Sequence, residues 1–319
     1  MEGALITQAN MNRVIEILNT KESAVLQLAV LNSQGTALVD SSQVTINPGM
    51  VPPKSIYASH VFEKNGVRTG HLAYFQCVEG YDNQLIDRIQ KFKAAGIQEL
   101  ILDLRFNPGG SVASAAKLAA VLVPSFNPDQ TFIVFKGNRH GGTVNQSFRR
   151  AISFSSSNSG KDMNELQGLN LRLNRVFILT SNATISAAEL LCNNIKPYMQ
   201  AIRIGTRTFG KDEASFAIED KRNPRKVDWI MMPTIYKVFD ANNKGDYSNG
   251  LEPDHTINEF SSLPLQEMGY PGDASVDKAL ELIYGSTVVG ITPCAIRYIP
   301  SVILKNNINR PVPPLWALR

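Results

Sequence analysis

Long apolar runs are missing from this chain of 319 residues: no stretch approaches the ~20 consecutive apolar residues that a membrane-spanning helix needs. The opening residues, MEGALITQAN, have neither the charged start nor the apolar run of a secretory signal. Cysteine is scarce. The three thiols, Cys77, Cys192 and Cys294, lie far apart without a CxxC pair, which argues against a metal knuckle or redox motif and leaves at least one of them unpaired. Histidine is also scarce, and His60, His71, His140 and His255 show no HExxH or His-x-His spacing, so no metal site is expected. Charge of either sign is in small excess: 32 Lys and Arg against 28 Asp and Glu give a net +4. With no basic block and no aromatic-basic interleaving, nothing points to nucleic acid. Internal repeats and low-complexity tracts are absent as well.

What is there is the composition of a globular protein, 43% hydrophobic, 8% aromatic and 19% charged. The length suits about two domains, or one large domain with an appendage. Residues 8–19 have helical spacing in Met11, Val14, Ile15, Ile17 and Leu18. The strand-like run AVLQLAVL and the short strands ALVD and QVTI follow, and Pro48, Pro52 and Pro53 close the segment. Asn65-Gly66, between HVFEK and VRTGHLAYFQC, predicts a tight hairpin. Beyond Tyr81 the period alternates. DNQLIDRIQKFKAAG, SVASAAKLAAVLV and ISAAELLCNNI read as helices; ELILDL, TFIVF, RVFILT and AIRIG read as strands. That alternation predicts a largely parallel α/β core. VDWIMMPTIYKVF reads as a further strand and DASVDKALELIYG as a closing helix.

Three junctions could carry chemistry. In LDLRFNPGG a strand runs into Pro108-Gly109-Gly110 and a helix, so backbone N–H groups can converge on a developing oxyanion; a plain tight turn has the same sequence signature. In TSNATISAAE, Ser186 stands at a helix start, where a hydroxyl is either an N-cap or a nucleophile assisted by the Ala187 N–H. In IGTRTFGK a strand ends in Gly210-Lys211 beside Phe209; a lysine shielded from water becomes a base, and an unshielded one is a solvated surface residue. A Walker A loop is excluded, because Asp212 follows where Ser or Thr must hold magnesium.

Taken in this order, LILDLRFNPGG, TSNATISAAEL, IGTRTFGK and GLEPDHTI (Gly250 to Ile257) resemble the segments of the C-terminal processing peptidases, tail-specific serine proteases with a Ser-Lys dyad. The resemblance spans Ala58 to Tyr284. It implies a crotonase/Clp-protease-like α/β core with Ser186 as nucleophile, Lys211 as general base, and the amides of Ala187 and of Gly109 or Gly110 as the oxyanion hole. Many members carry a Gln four positions past the lysine; here Ser215 stands in its place, with a shorter reach for orienting the amine. The N-terminal segment is similar to the second half of the PDZ domain of such peptidases, with NMNRVIEIL as the groove helix. The implied organisation is a partial PDZ-like fragment at 1–47, a peptidase core at 58–285 and an extension of unassigned role at 286–319. The expected partner is a protein or peptide substrate, with no cofactor, metal, nucleic acid or membrane span, and a location outside the bacterial cytoplasm. Two alternatives keep the same core: a binding protein that has lost its chemistry, as in a retinoid-binding module, and an acyl-CoA-processing crotonase. The first is opposed by the presence of both Ser186 and Lys211, and the second gives Lys211 no role.

Overall fold

The computed structural model describes residues 1, 3–20, 23–32, 34, 37–48, 54–154, 163–259 and 265–285. The expected extension at 286–319 and Cys294 lie outside the described residues. Among the described residues the chain divides into two compact units, one formed by residues up to 53 together with 259–274, the other by 54–258 and 275–285. In the first, helix α1 (Met11–Thr20) precedes the antiparallel pair β1 (Ala24–Leu31) and β2 (Leu38–Ile46), registered Ala24 to Ile46. The helix and strand expected there are present.

The second unit begins with β3 (Ile56–Lys64) and β4 (Val67–Tyr74), a hairpin whose Asn65 and Gly66 both take positive φ, 53° and 77°. It continues through α2 (Asp82–Ala95), β5 (Glu99–Asp103), α3 (Val112–Leu122), β6 (Thr131–Gly137) and β7 (Thr143–Ser147). Next come α4 (Phe148–Ile152), α5 (Met163–Leu169), β8 (Arg175–Thr180), α6 (Ala187–Asn194) and β9 (Gln200–Gly205). The short strands β10 (Glu213–Ser215), β11 (Thr234–Phe239) and β12 (His255–Thr256) precede the last helix, α7 (Ala274–Tyr284). Six strands form a sheet in the order β12-β9-β8-β5-β4-β3, parallel except for the β3–β4 hairpin.

The centre of that sheet is apolar without alternation because both faces are covered: Leu100 to Leu102 on β5 and Val176 to Leu179 on β8 are fully buried. One face packs on α3 and α6, within the larger core. On the other, Val276, Ala279 and Leu280 of α7 meet Ile101, Phe177, Leu179 and Ile204. Helix α3 is apolar on nearly every side and is buried along its length. Its one charge, Lys117, is paired with buried Asp82 at 2.6 Å.

Two expectations change here. TFIVF, read with the parallel core, is β6 of a second, four-stranded antiparallel sheet, ordered β10-β11-β6-β7. The strand expected throughout VDWIMMPTIYKVF is regular only from Thr234, since Pro233 has no N–H to donate to a ladder; before it one isolated bridge joins Met231 to Ile218.

Candidate active site

Strands β5 and β8 are parallel neighbours, with Asp103 level with Leu179, so the turns leaving their carboxyl ends emerge side by side. The two turns are then bonded to each other. Thr184 Oγ1 donates to Leu104 O at 2.8 Å, Ile185 N to Asn107 O at 2.9 Å, and Ser181 Oγ to Arg105 O. Asn107 is the internal brace of the first turn: its side chain donates to Tyr74 O and accepts from Gly109 N, at 2.9 and 2.8 Å.

Glycine is required at both positions of that turn. Gly109 has φ 92°, and a Cβ there would lie 2.8 Å from both Ala187 N and Ser186 Cβ. Gly110 has φ 127°, and its Cβ would lie 2.2 Å from Cys77 O. This turn therefore does more than connect a strand to a helix, because it is pressed against Ser186. Ser186 itself has φ 57° and ψ −116°, whereas an ordinary N-cap takes extended backbone. A non-glycine residue held there costs on the order of 1–3 kcal/mol, which the surrounding contacts must offset.

Of the amides beside Ser186, Gly109 N is taken by Asn107 Oδ1. Cys77 bonds on either side of Gly110, to Gly109 O and Ser111 N, and leaves Gly110 N out. Among the described residues neither Gly110 N nor Ala187 N has an acceptor. Two unmatched donors thus lie on the loops that meet at the serine, one in the residue after it and one in the residue after Gly109. Unmatched donors are what an oxyanion site requires.

The lysine-bearing segment, 206–211, is fastened to the same loops. Thr206 N donates to Thr180 O at 3.0 Å and Phe209 N to Thr184 O at 3.1 Å. Gly210 N and Lys211 N donate to the two carboxylate oxygens of Glu189, at 2.7 and 2.9 Å, and Ser186 N reaches the second of these at 2.9 Å. The backbones of Ser186 and Lys211 therefore meet on one oxygen atom. The Lys211 side chain is exposed. Its ammonium has no partner among the described residues, and no carboxylate holds its proton in place. The Ser215 hydroxyl shares a hydrogen bond with Thr234 Oγ1, its neighbour on β11, at 2.9 Å.

The Gly250–Ile257 segment closes the frame from the far side. Leu251 pairs with Thr208 through N–H to Oγ1 at 2.7 Å, and Asp254 Oδ2 accepts from Arg203 N at 2.7 Å. Ile257 N bonds Gly205 O, which continues the sheet edge onto β12.

Sequence reading missed the polar groups beneath these loops. Glu189 is fully buried, and its only mark in the sequence is the Ser186-x-x-Glu189 spacing of a capping box. Asp103 and Arg105 are buried partners at 2.7 Å, hidden within what reads as a hydrophobic strand and turn. Burial pushes the Asp103 carboxyl up, but the Arg105 guanidinium and the nearby His71 ring outweigh it and hold it at about 2. This depressed value favours the folded state above the ordinary carboxyl range, and that contribution, on the order of 2 kcal/mol, disappears as pH falls from about 4 through 2. Replacing Asp103 with Asn removes the carboxylate that faces the buried Arg105 guanidinium at 2.7 Å. The expected outcome is a loss of about 3–5 kcal/mol in urea denaturation at pH 7, with a smaller loss at pH 2.5. Equal stability of the two proteins at pH 7 would exclude a supporting role for this pair.

The two described thiols offer no rival nucleophile. Cys77 and Cys192 are buried and unpaired, and burial pushes both up to about 12, leaving them protonated and inert. No cluster of three or more His, Cys, Asp or Glu able to hold a metal occurs among the described residues.

The sequence pattern of peptidase family S41 matches residues 68–257. A carboxyl-terminal-processing protease of Picosynechococcus is 25% identical over 223 residues, 69% of this chain and 46% of the relative. A CtpA-like protein of Staphylococcus haemolyticus is 23% identical over 278 residues, 86% of this chain and 49% of the relative. This chain thus spans about half the length of these curated relatives. Among solved structures, an S41-family protein of Bacteroides fragilis superimposes with a TM-score of 0.70 at 25% identity, covering 89% of this chain and 71% of the other. The photosystem II D1 C-terminal processing protease shares the fold, with a TM-score of 0.51 at 15% identity, over 72% of this chain and 54% of that one. With the family pattern covering both parallel-strand junctions, the lysine segment and the Gly-x-x-Pro-Asp loop, this chain belongs to peptidase family S41.

Proposed function

We propose that the chain is a serine endopeptidase that cuts protein substrates near their carboxyl ends, with Ser186 as nucleophile and Lys211 as general base. The observation that carries this reading is the pair of unmatched amides, Gly110 N–H and Ala187 N–H, beside a serine held at φ 57°. Ser186 Oγ attacks the scissile carbonyl carbon while Lys211 Nζ takes its proton, and the carbonyl oxygen, now charged, lies against the two amides. Collapse of the tetrahedral intermediate breaks the C–N bond, and the ammonium returns the proton to the leaving amine. Water then repeats the sequence on the acyl-enzyme ester, with Lys211 again receiving a proton. In this assignment Gly110 supplies the first oxyanion donor and Gly109 does not, because Asn107 already accepts from Gly109 N.

Lys211 must be neutral to act, yet it is exposed in the free chain. A bound polypeptide lying over the 206–211 segment supplies the exclusion of water that the exposed side chain lacks. Ser215 is assigned to orienting the amine, by exchanging its bond to Thr234 for one to Nζ. Residues 1–47 are assigned to a PDZ-derived segment, and the enzyme to an extracytoplasmic compartment, on resemblance to the processing peptidases. The direct test is a fluorophosphonate probe followed by peptide mass mapping. One adduct is expected, on the peptide carrying Ser186, and an adduct elsewhere or none at all rejects the assignment.

A further inference from the structure

Glu189 has more hydrogen-bond partners than its place in a helix explains. It is the third residue of α6, and a capping-box glutamate in that position accepts one bond from the N-cap amide, here Ser186 N at 2.9 Å. Three further donors come from another part of the chain. Thr208 Oγ1 and Gly210 N donate to Oε1 at 2.6 and 2.7 Å, and Lys211 N donates to Oε2 at 2.9 Å. The carboxylate is fully buried and all four contacts are N–H or O–H donors, so both oxygens act only as acceptors. Thr208 is buried too, and its hydroxyl passes the connection on by accepting from Leu251 N at 2.7 Å.

We propose that Glu189 and Thr208 are positioning residues for catalysis. They touch neither substrate nor reacting atoms, but lock the backbone of the lysine segment to the backbone of the nucleophile and brace both against the Gly250–Leu251 turn. The proposal rests on the Ser186–Lys211 reading and adds to it a cause for their relative placement. Among the described residues no disulfide ties the two segments, which are 22 positions apart from Glu189 to Lys211, and there the Lys211 side chain takes no bond that would fix it. The shared carboxylate, together with the Thr206–Thr180 and Phe209–Thr184 backbone bonds, sets the distance from which the amine must reach the hydroxyl. Glutamine is not a substitute. Whichever way its amide is turned, the NH2 group faces two of the four donors.

The test compares wild type, Glu189→Gln, Thr208→Val and Thr208→Ser, each as the full chain, on one fluorogenic peptide, for kcat, KM, pH–rate profile, fluorophosphonate labelling rate and melting temperature. Glu189→Gln is expected to lower kcat on the order of 100-fold, with KM within about threefold of wild type and labelling slowed in parallel, because chemistry is lost and binding is kept. Its pH–rate midpoint moves as the lysine changes surroundings, which a merely structural role would not produce. Thr208→Val loses about tenfold in kcat, and Thr208→Ser, which keeps the hydroxyl, retains at least half. A folded Glu189→Gln with kcat within threefold of wild type overturns the proposal. If that variant does not fold, equal kcat in Thr208→Val and Thr208→Ser overturns it instead. The reading beneath is judged by a different arm. Wild type that neither cleaves nor labels at Ser186 fails the dyad, and this proposal with it, whereas labelled wild type with unchanged variants fails only the positioning role.

Discussion

Ser186→Ala is expected to abolish peptide hydrolysis, by on the order of 10⁴-fold or more, while leaving the fold intact. The magnitude follows from the absence of any substitute: both described thiols are buried and protonated, and a water attacking in place of the hydroxyl forgoes the acyl-enzyme. The fold survives because alanine carries the same Cβ that serine already places at φ 57°, so no new clash arises. Glu189 still accepts from the residue 186 amide, which does not depend on the side chain. Loss of a capping hydroxyl costs about 1 kcal/mol, a melting shift of roughly 2–4 °C in a domain of this size. The measurement is casein or peptide cleavage beside a thermal melt. Cleavage undiminished in the mutant ends the serine-peptidase reading, whatever the melt shows.

Lys211→Arg separates a base from a mere positive charge. An unperturbed lysine titrates near 10.4, so a lysine base becomes active as pH rises through its ionisation, and only the deprotonated amine can receive the Ser186 proton. A guanidinium remains protonated throughout the working range, so arginine preserves charge and removes function. Lys211→Arg is therefore expected to be as inactive as Lys211→Ala, both down by at least 10³-fold in kcat. Ser215→Ala, which removes only an orienting hydroxyl, stays within about 100-fold. In wild type the rate rises with pH through one ionisation, and in Ser215→Ala that rise persists. Appreciable activity in Lys211→Arg would transfer the base to another group. Glu213, exposed on β10, and His255, on β12, are the residues to test next.

The parallel sheet was legible because its strands are short apolar runs separated by helical periods; ELILD and RVFILT are buried on both faces and say so in composition alone. The loops that carry Gly109 and Gly110, Ser186 and Lys211 could be placed because each follows the end of such a strand. TFIVF was placed in the wrong sheet because a buried strand has the same composition in either, and pairing partners are decided by contacts far away in sequence. Glu189 escaped for a related reason. Its local spacing indicated a helix cap, and the three extra donors arrive from residues 208–211, which no local window contains. The Asp103–Arg105 pair was hidden within an apolar reading of the strand, since burial with a partner is indistinguishable in sequence from exposure at a turn.

Gly109 packs against the Ser186 loop and Gly110 against Cys77, and the nearest atoms on the other side are mostly main-chain ones. Main-chain atoms are the same in every residue type. The spacing between Ser186 and the glycine turn is thus insulated from drift in the surrounding side chains, and the whole constraint falls on two positions that admit no side chain. Such a site tolerates a slowly diverging sequence around it and does not tolerate gradual change within it. A single methyl group at Gly109 is enough to push its turn off the Ser186 loop, and one at Gly110 to push it off Cys77.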